Sequence, residues 1–166
     1  MAGGDTVSVR GGIYREHVNI PVSGNSAAGY TTFQSYPGET AILDGTGLDV
    51  PDGQYGLFNI GSQSYLIIQG FEIRNYRTTS TKYVPVGINI YGAGSNLQIL
   101  NNHIHHIKTS ARGCNANALG LAVYGTQEPD SINNLTISGN EIDHLTTGCS
   151  ETISTRWQRA VLRGHE

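Results

Sequence analysis

Three stretches decide the architecture: SYLIIQGFEIRN (64–75), SNLQILNNHIHH (95–106) and NNLTISGNEIDH (133–144). They align without gaps on the pattern x-x-L-x-I-x-[GN]-x-x-I-x-x. Leu66, Leu97 and Leu135 correspond, then Ile68, Ile99 and Ile137, then Ile73, Ile104 and Ile142. Apolar and polar residues alternate within each stretch, which is the period of a half-buried strand. Gly70, Asn101 and Gly139 stand where a tight turn joins two such strands. A third strand follows a loop, as VGINIYG (86–92) and LGLAVYG (119–125). Such a unit cannot enclose a core alone and buries its apolar face by stacking on its neighbours. The expected fold is all-β, a parallel β-helix of roughly four to five coils. A leucine-rich repeat has shorter units and a longer Leu/Asn consensus, which these stretches lack.

Composition agrees. The 166 residues fit one domain. Hydrophobic residues make up 37%, charged residues 14%, and 22 residues are glycine, which suits many short strands and turns and excludes a helical bundle. A formal net charge of −3 provides no global attraction to nucleic acid, and no apolar run approaches the roughly 20 residues of a membrane span. The start, MAGGDTVSV, has no basic-then-apolar export signal. Cys114 and Cys149 fall in successive long loops, either bridged across adjacent coils or as two thiols. The N-terminal third drifts from the repeat: residues 5–20 read as two strands around Gly11-Gly12, and 30–37, 40–45 and 56–61 supply further strands.

The runs GDTVSVRGGIYRE (4–16), FQSYPGETAILDG (33–45), YLIIQGFEIRN (65–75) and ISGNEIDH (137–144) resemble the N-terminal part of right-handed parallel β-helix proteins of the pectate-lyase-like superfamily. The resemblance covers about Gly4 to Ser154. It implies a right-handed helix and a secreted or cell-surface parent protein with a saccharide ligand. That superfamily holds lyases, hydrolases, epimerases and non-catalytic adhesins, so the resemblance does not fix an activity. Its members carry a cap helix before the GDTV-like strand; only three residues precede Gly4, so this cap is expected to be lacking. One β-helix domain is expected over 1–155. The tail 156–166 reads either as a non-native extension or as a short helix with Trp157, Ala160 and Val161 on one face. Uncapped ends would make the chain a candidate homo-oligomer.

Charge placement carries the functional expectation. No Asp or Glu occurs between Ile73 and Gln127, a stretch that holds Arg74, Arg77, Lys82, Lys108 and Arg112. Arg77 and Lys108 are equivalent in the repeat and should stack. A basic strip on a net-acidic protein suits an anionic polysaccharide built from uronates. The resemblance places the substrate groove along 86–92 and 119–125. Ile88, Ile90, Leu121 and Val123 should face inward, and Asn89, Tyr91, Ala122 and Tyr124 outward. Tyr91 and Tyr124 should stack about 4.8 Å apart, as a sugar platform or only as a cross-strand pair that stabilises the sheet. The substrate-binding candidates are Asn89, Tyr91, Tyr124, Lys82 and Arg74. β-Elimination from a uronate needs a neutralised carboxylate, a base for the C5 proton and stabilisation of the enolate-like charge. Lys108, Arg112 and Arg77 are the catalytic candidates. A non-catalytic saccharide-binding or structural solenoid is the alternative. A hydrolase fits less well: Glu141 and Asp143 share one strand face, too close for an opposed acid pair, and Glu128, Asp130 and Glu151 are scattered.

In NNHIHHI (101–107), Ile104 is the inward residue, so His103 and His105 should face outward together. They should lie beside Glu141 and Asp143 of the next coil and Glu72 and Arg74 of the previous one. His103, His105, Glu141 and Asp143 are therefore candidate metal ligands; a solvated strand face is the plainer reading. Calcium-dependent members of the superfamily use clustered aspartates. Asp44, Asp49 and Asp52 form a cluster here, without calcium-loop spacing, and no other cofactor is implied. Asn134 opens an N-L-T sequon at a tight strand entry, where a turn role is expected.

Overall fold

The computed structural model describes residues 2–51, 53–126 and 131–156, and among these there is no helix. The chain winds through five coils. The first holds β1 (Thr6–Val9), β2 (Gly12–Tyr14) and β3 (Val18–Ile20). The second holds β4 (Thr31–Ser35), β5 (Ala41–Asp44) and β6 (Gln54–Gly61). The third holds β7 (Leu66–Gln69), β8 (Glu72–Arg74), β9 (Arg77–Thr78) and β10 (Val84–Gly92). The fourth holds β11 (Gly94–Leu100), β12 (His103–His105), β13 (Lys108–Thr109) and β14 (Leu119–Gly125). The fifth holds β15 (Ile132–Ser138), β16 (Glu141–Asp143) and β17 (Ile153–Arg156).

Strands from successive coils pair in parallel into three five-stranded sheets, ordered β1-β4-β7-β11-β15, β2-β5-β8-β12-β16 and β3-β6-β10-β14-β17; β9 and β13 form a two-stranded fourth sheet. The protein is a right-handed parallel β-helix. The register is the one the repeat predicts. Leu97 pairs with Leu66 and Leu135, Ile99 with Ile68 and Ile137, and Ile104 with Ile73 and Ile142. These residues stack inward as the central core, with Leu66, Ile68, Ile73, Leu97, Ile99 and Ile104 fully buried. Each such side chain contributes about 1.5–3 kcal/mol by leaving water.

The turns between the first two sheets need a left-handed residue. Gly70, Asn101 and Gly139 occupy that position with φ of 72°, 52° and 67°. Beside it lies Asn102, which is 1% exposed yet fully bonded. Its side chain accepts from Phe71 N and donates to Ile68 O and Asn140 Oδ1, which ties coils three, four and five together.

Some expectations change, and the choice left open for the cysteines falls to two thiols. Residues 5–20 form three strands rather than two, because Val18–Ile20 pairs with Phe58–Ile60 and so completes the first coil. Cys114 and Cys149 are both exposed free thiols. Strand β17 includes Arg156, which the sequence assigned to the tail, while Trp157, Ala160 and Val161 lie outside the described residues. Asn134 lies near the start of β15 with a left-handed backbone (φ 49°) and donates its side-chain amide to Asn96, so it is an irregular residue within the strand rather than the tight turn the sequence suggested.

Candidate functional site

The cations come together where the fourth sheet starts the long loops. Lys108 on β13 stands in register with Arg77 on β9. The next residue in each strand, Thr109 and Thr78, is buried, and its hydroxyl accepts the N–H two residues on, from Ala111 (3.2 Å) and Ser80 (3.1 Å). Both loops therefore leave the sheet through the same local turn. Lys82 and Arg112 are exposed on those loops. Among the described residues, no carboxylate forms an ion pair with Arg77, Lys82, Lys108 or Arg112. Two like charges in direct cross-strand register destabilise a sheet.

The neighbouring face is less open than the alternation implied. Ile88, Ile90, Leu121 and Val123 are in the core as expected. Asn89 and Ala122 are not available to a ligand, at 4% and 0% exposure. Gly87 and Gly120 break the alternation. A Cβ on Gly87 would meet the Gly120 carbonyl oxygen and Ile104 Cγ2, each at 2.5 Å, so both strands press on the inner isoleucine row here. Val86 and Leu119 accordingly join Ala122 in a separate small apolar cluster, with Val84 and Tyr124 against it. Asn89 Oδ1 accepts from Gln54 Nε2 at 2.9 Å. Tyr91 and Tyr124 are register partners, but their rings lean to opposite neighbours. The Tyr91 ring covers Gly61 of the second coil, while the Tyr124 hydroxyl donates to Ser154 Oγ at 3.1 Å in the fifth. Tyr91 remains 45% exposed.

Arg74 belongs to a different surface. It stands on β8, with its guanidinium on Asp44 (2.9 Å) and Glu72 (2.7 Å), so its charge is already matched. Asp44 is 3% exposed. Burial pushes its carboxyl pKa up, but bonds from Thr46, Arg74 and Asn75 outweigh this and hold it at about 2. Those bonds also commit the Asp44 oxygens. Asp44 therefore has no oxygen free for calcium, and Asp52 lies outside the described residues.

The same sheet carries the histidines. His103 pairs with Glu141 and Glu72, and His105 with Asp143 and Arg74, as the alignment predicts. His103 Nε2 is 2.8 Å from Asp143 Oδ2, and His105 Nε2 is 3.2 Å from Glu72 Oε1. His105 Nδ1 faces His106 Nδ1 at 2.7 Å. His106 and His144 hold the left-handed position that Asn75 fills one coil earlier, and their rings stack in parallel 5.1 Å apart. Desolvation, then Lys108 and the neighbouring imidazoles, push the His106 pKa down. Hydrogen bonds from His144 and His103 hold the Asp143 carboxyl at about 2. Glu141, the register partner of His103, is exposed and makes no ion pair with these histidines among the described residues, while Glu72, expected only alongside them, bonds His105. Of the loose acids, Glu151 is exposed, and Glu128 and Asp130 lie outside the described residues.

A family model described as "Protein of unknown function (DUF1565)" matches residues 13–160, nearly the whole β-helix. The chain belongs to this family. It is also similar to "Uncharacterized protein YwoF" of Bacillus subtilis (strain 168), with 32% identity over 152 residues. That match takes in 92% of this chain but only 31% of YwoF, so the chain spans about a third of the relative's length. No solved structure matches.

Proposed function

We propose that this chain is the saccharide-facing part of a β-helix protein that binds an anionic polysaccharide of the uronate class. The observation that carries the reading is the Arg77/Lys108 pair, in register on adjacent coils inside a stretch free of acids. Stacked like charges are unfavourable in the free protein. A linear polyanion laid along the helix axis would neutralise both cations, which stand one strand spacing of about 4.8 Å apart. Lys82 and Arg112 lie exposed on the loops that follow, and the exposed Tyr91 ring at the far end of β10 offers a sugar face an apolar surface.

The finer form of the proposal is a pectate-lyase-like enzyme in a secreted or cell-surface parent protein. Arg77 would then neutralise the uronate carboxylate and the charge that develops on it, Lys108 or Arg112 would take the proton from C5, and the glycosidic oxygen on C4 would leave, protonated by solvent, as the C4–C5 double bond forms. Affinity electrophoresis through gels containing polygalacturonate, alginate or neutral dextran tests binding. The proposal expects retardation by a uronan and none by dextran, with retardation lost in Arg77→Gln/Lys108→Gln. Equal mobility in all gels refutes it. A rise in ultraviolet absorbance from unsaturated uronate supports elimination; binding without that rise leaves the chain a binding module.

A further inference from the structure

We propose that His103, His105 and Asp143 form a site for a divalent first-row transition-metal ion that links the fourth and fifth coils. This site lies on the second sheet, and the inference does not depend on the saccharide reading. His103 and His105 alternate along β12, so both imidazoles project from one face. Asp143 on β16 is the register partner of His105. One donor atom from each of the three side chains lies within 4.8 Å of the other two. The two imidazoles stack with centroids 4.3 Å apart and planes 27° apart, and His103 Nε2 already reaches Asp143 Oδ2 at 2.8 Å. Zinc–ligand bonds of about 2.0–2.2 Å in a tetrahedron put ligand atoms roughly 3.4 Å apart. To bind, the three donor atoms close from within 4.8 Å to that spacing.

The surroundings suit a metal. Glu72 Oε1 bonds Nε2 of His105, which leaves Nδ1 as the ligand atom. A carboxylate on the far nitrogen of a ligating histidine fixes its tautomer and raises its basicity. Metal binding through Nδ1 replaces its contact with His106, whose ring stays against His144. Arg74, the nearest cation on this sheet, is neutralised by Asp44 and Glu72. Two imidazoles and one carboxylate favour zinc, cobalt, nickel or iron over calcium or magnesium, which prefer oxygen ligands. Three protein ligands leave one position open to water or an added anion. Glu141, a ligand candidate on sequence grounds, stays outside the set and serves as the control.

The test uses the full chain, stripped with chelator and titrated with ZnCl2, CoCl2 or CaCl2. The proposal expects one saturable equivalent of Zn2+, a raised melting temperature, and visible bands with Co2+ of a four- or five-coordinate ion. Asp143→Asn and His103→Gln each weaken binding at least tenfold, and Glu141→Gln leaves it unchanged. Glu72→Gln weakens Co2+ binding about 10–100-fold while the visible spectrum keeps its shape. Should Asp143→Asn not fold, His103→Gln, at a half-exposed site, carries the test alone. Absent saturable Zn2+ binding overturns the proposal. So does binding that survives both ligand substitutions but disappears in His106→Gln/His144→Gln, and so does Ca2+ bound as tightly as Zn2+.

Discussion

Asp44→Asn probes how the second sheet holds its charges. Asp44 Oδ2 accepts from Arg74 Nε at 2.9 Å and Asn75 Nδ2 at 3.2 Å, and Oδ1 accepts from Thr46 N at 2.9 Å. The carboxyl is buried, and these bonds outweigh the burial and hold its pKa at about 2. An unfolded Asp titrates near 3.9, and each unit of difference corresponds to about 1.4 kcal/mol. The ionised carboxylate therefore contributes about 2–3 kcal/mol to folding. The folded pKa is the depressed one, so this contribution is complete above about pH 4 and is lost as pH falls towards about 2. The Asn variant lacks it at every pH. Urea unfolding followed by circular dichroism should show wild type more stable by about 2–3 kcal/mol at neutral pH. That gap should close across the acid range. A gap that is absent at neutral pH, or that stays constant down to about pH 2, refutes the reasoning.

Asn102→Ala should destabilise the chain by about 2–4 kcal/mol in the same urea assay, because it leaves Phe71 N and Ile68 O without their side-chain partner inside the turn; an effect below about 0.5 kcal/mol would contradict the buried ladder. Gly120→Ala places a Cβ 2.7 Å from Ile142 Cγ2 and should cost about 1–3 kcal/mol as overpacking, read as a lower urea midpoint. In the native protein Cys114 and Cys149 should both react with a thiol reagent, to the same stoichiometry as in denaturant; one protected thiol would contradict their exposed, unbridged placement.

The repeat was legible because one inward residue recurs at each aligned position: Ile104 fixes the register of β12, and with it the outward pairing of His103 and His105 with their acids. The Asp44–Arg74 pair was not, because AILDG carries neither the L-x-I signature nor a gapless match to the later coils. Its register emerges only from the pairing of Leu43 with Ile73. Asn89 and Ala122 do lie outside the central core, as alternation predicts, but their burial was not legible. Gly87 and Gly120 let Val86 and Leu119 turn to the same side and pack with Ala122, and Gln54 bonds Asn89. The lean of Tyr91 depends on a small residue in another coil, Gly61, and that of Tyr124 on the hydroxyl of Ser154. No local pattern around either tyrosine encodes its neighbour.

Affinity for polygalacturonate across a series of salt concentrations tests the cation ladder most directly, comparing wild type with Arg77→Gln/Lys108→Gln and with Tyr91→Ala. Attraction between exposed charges is screened over roughly 8 Å at physiological ionic strength. Wild type and Tyr91→Ala should therefore weaken together as salt rises, while the double variant should bind weakly and change little. A double variant that binds as tightly as wild type at low salt, with the same salt dependence, would contradict the account.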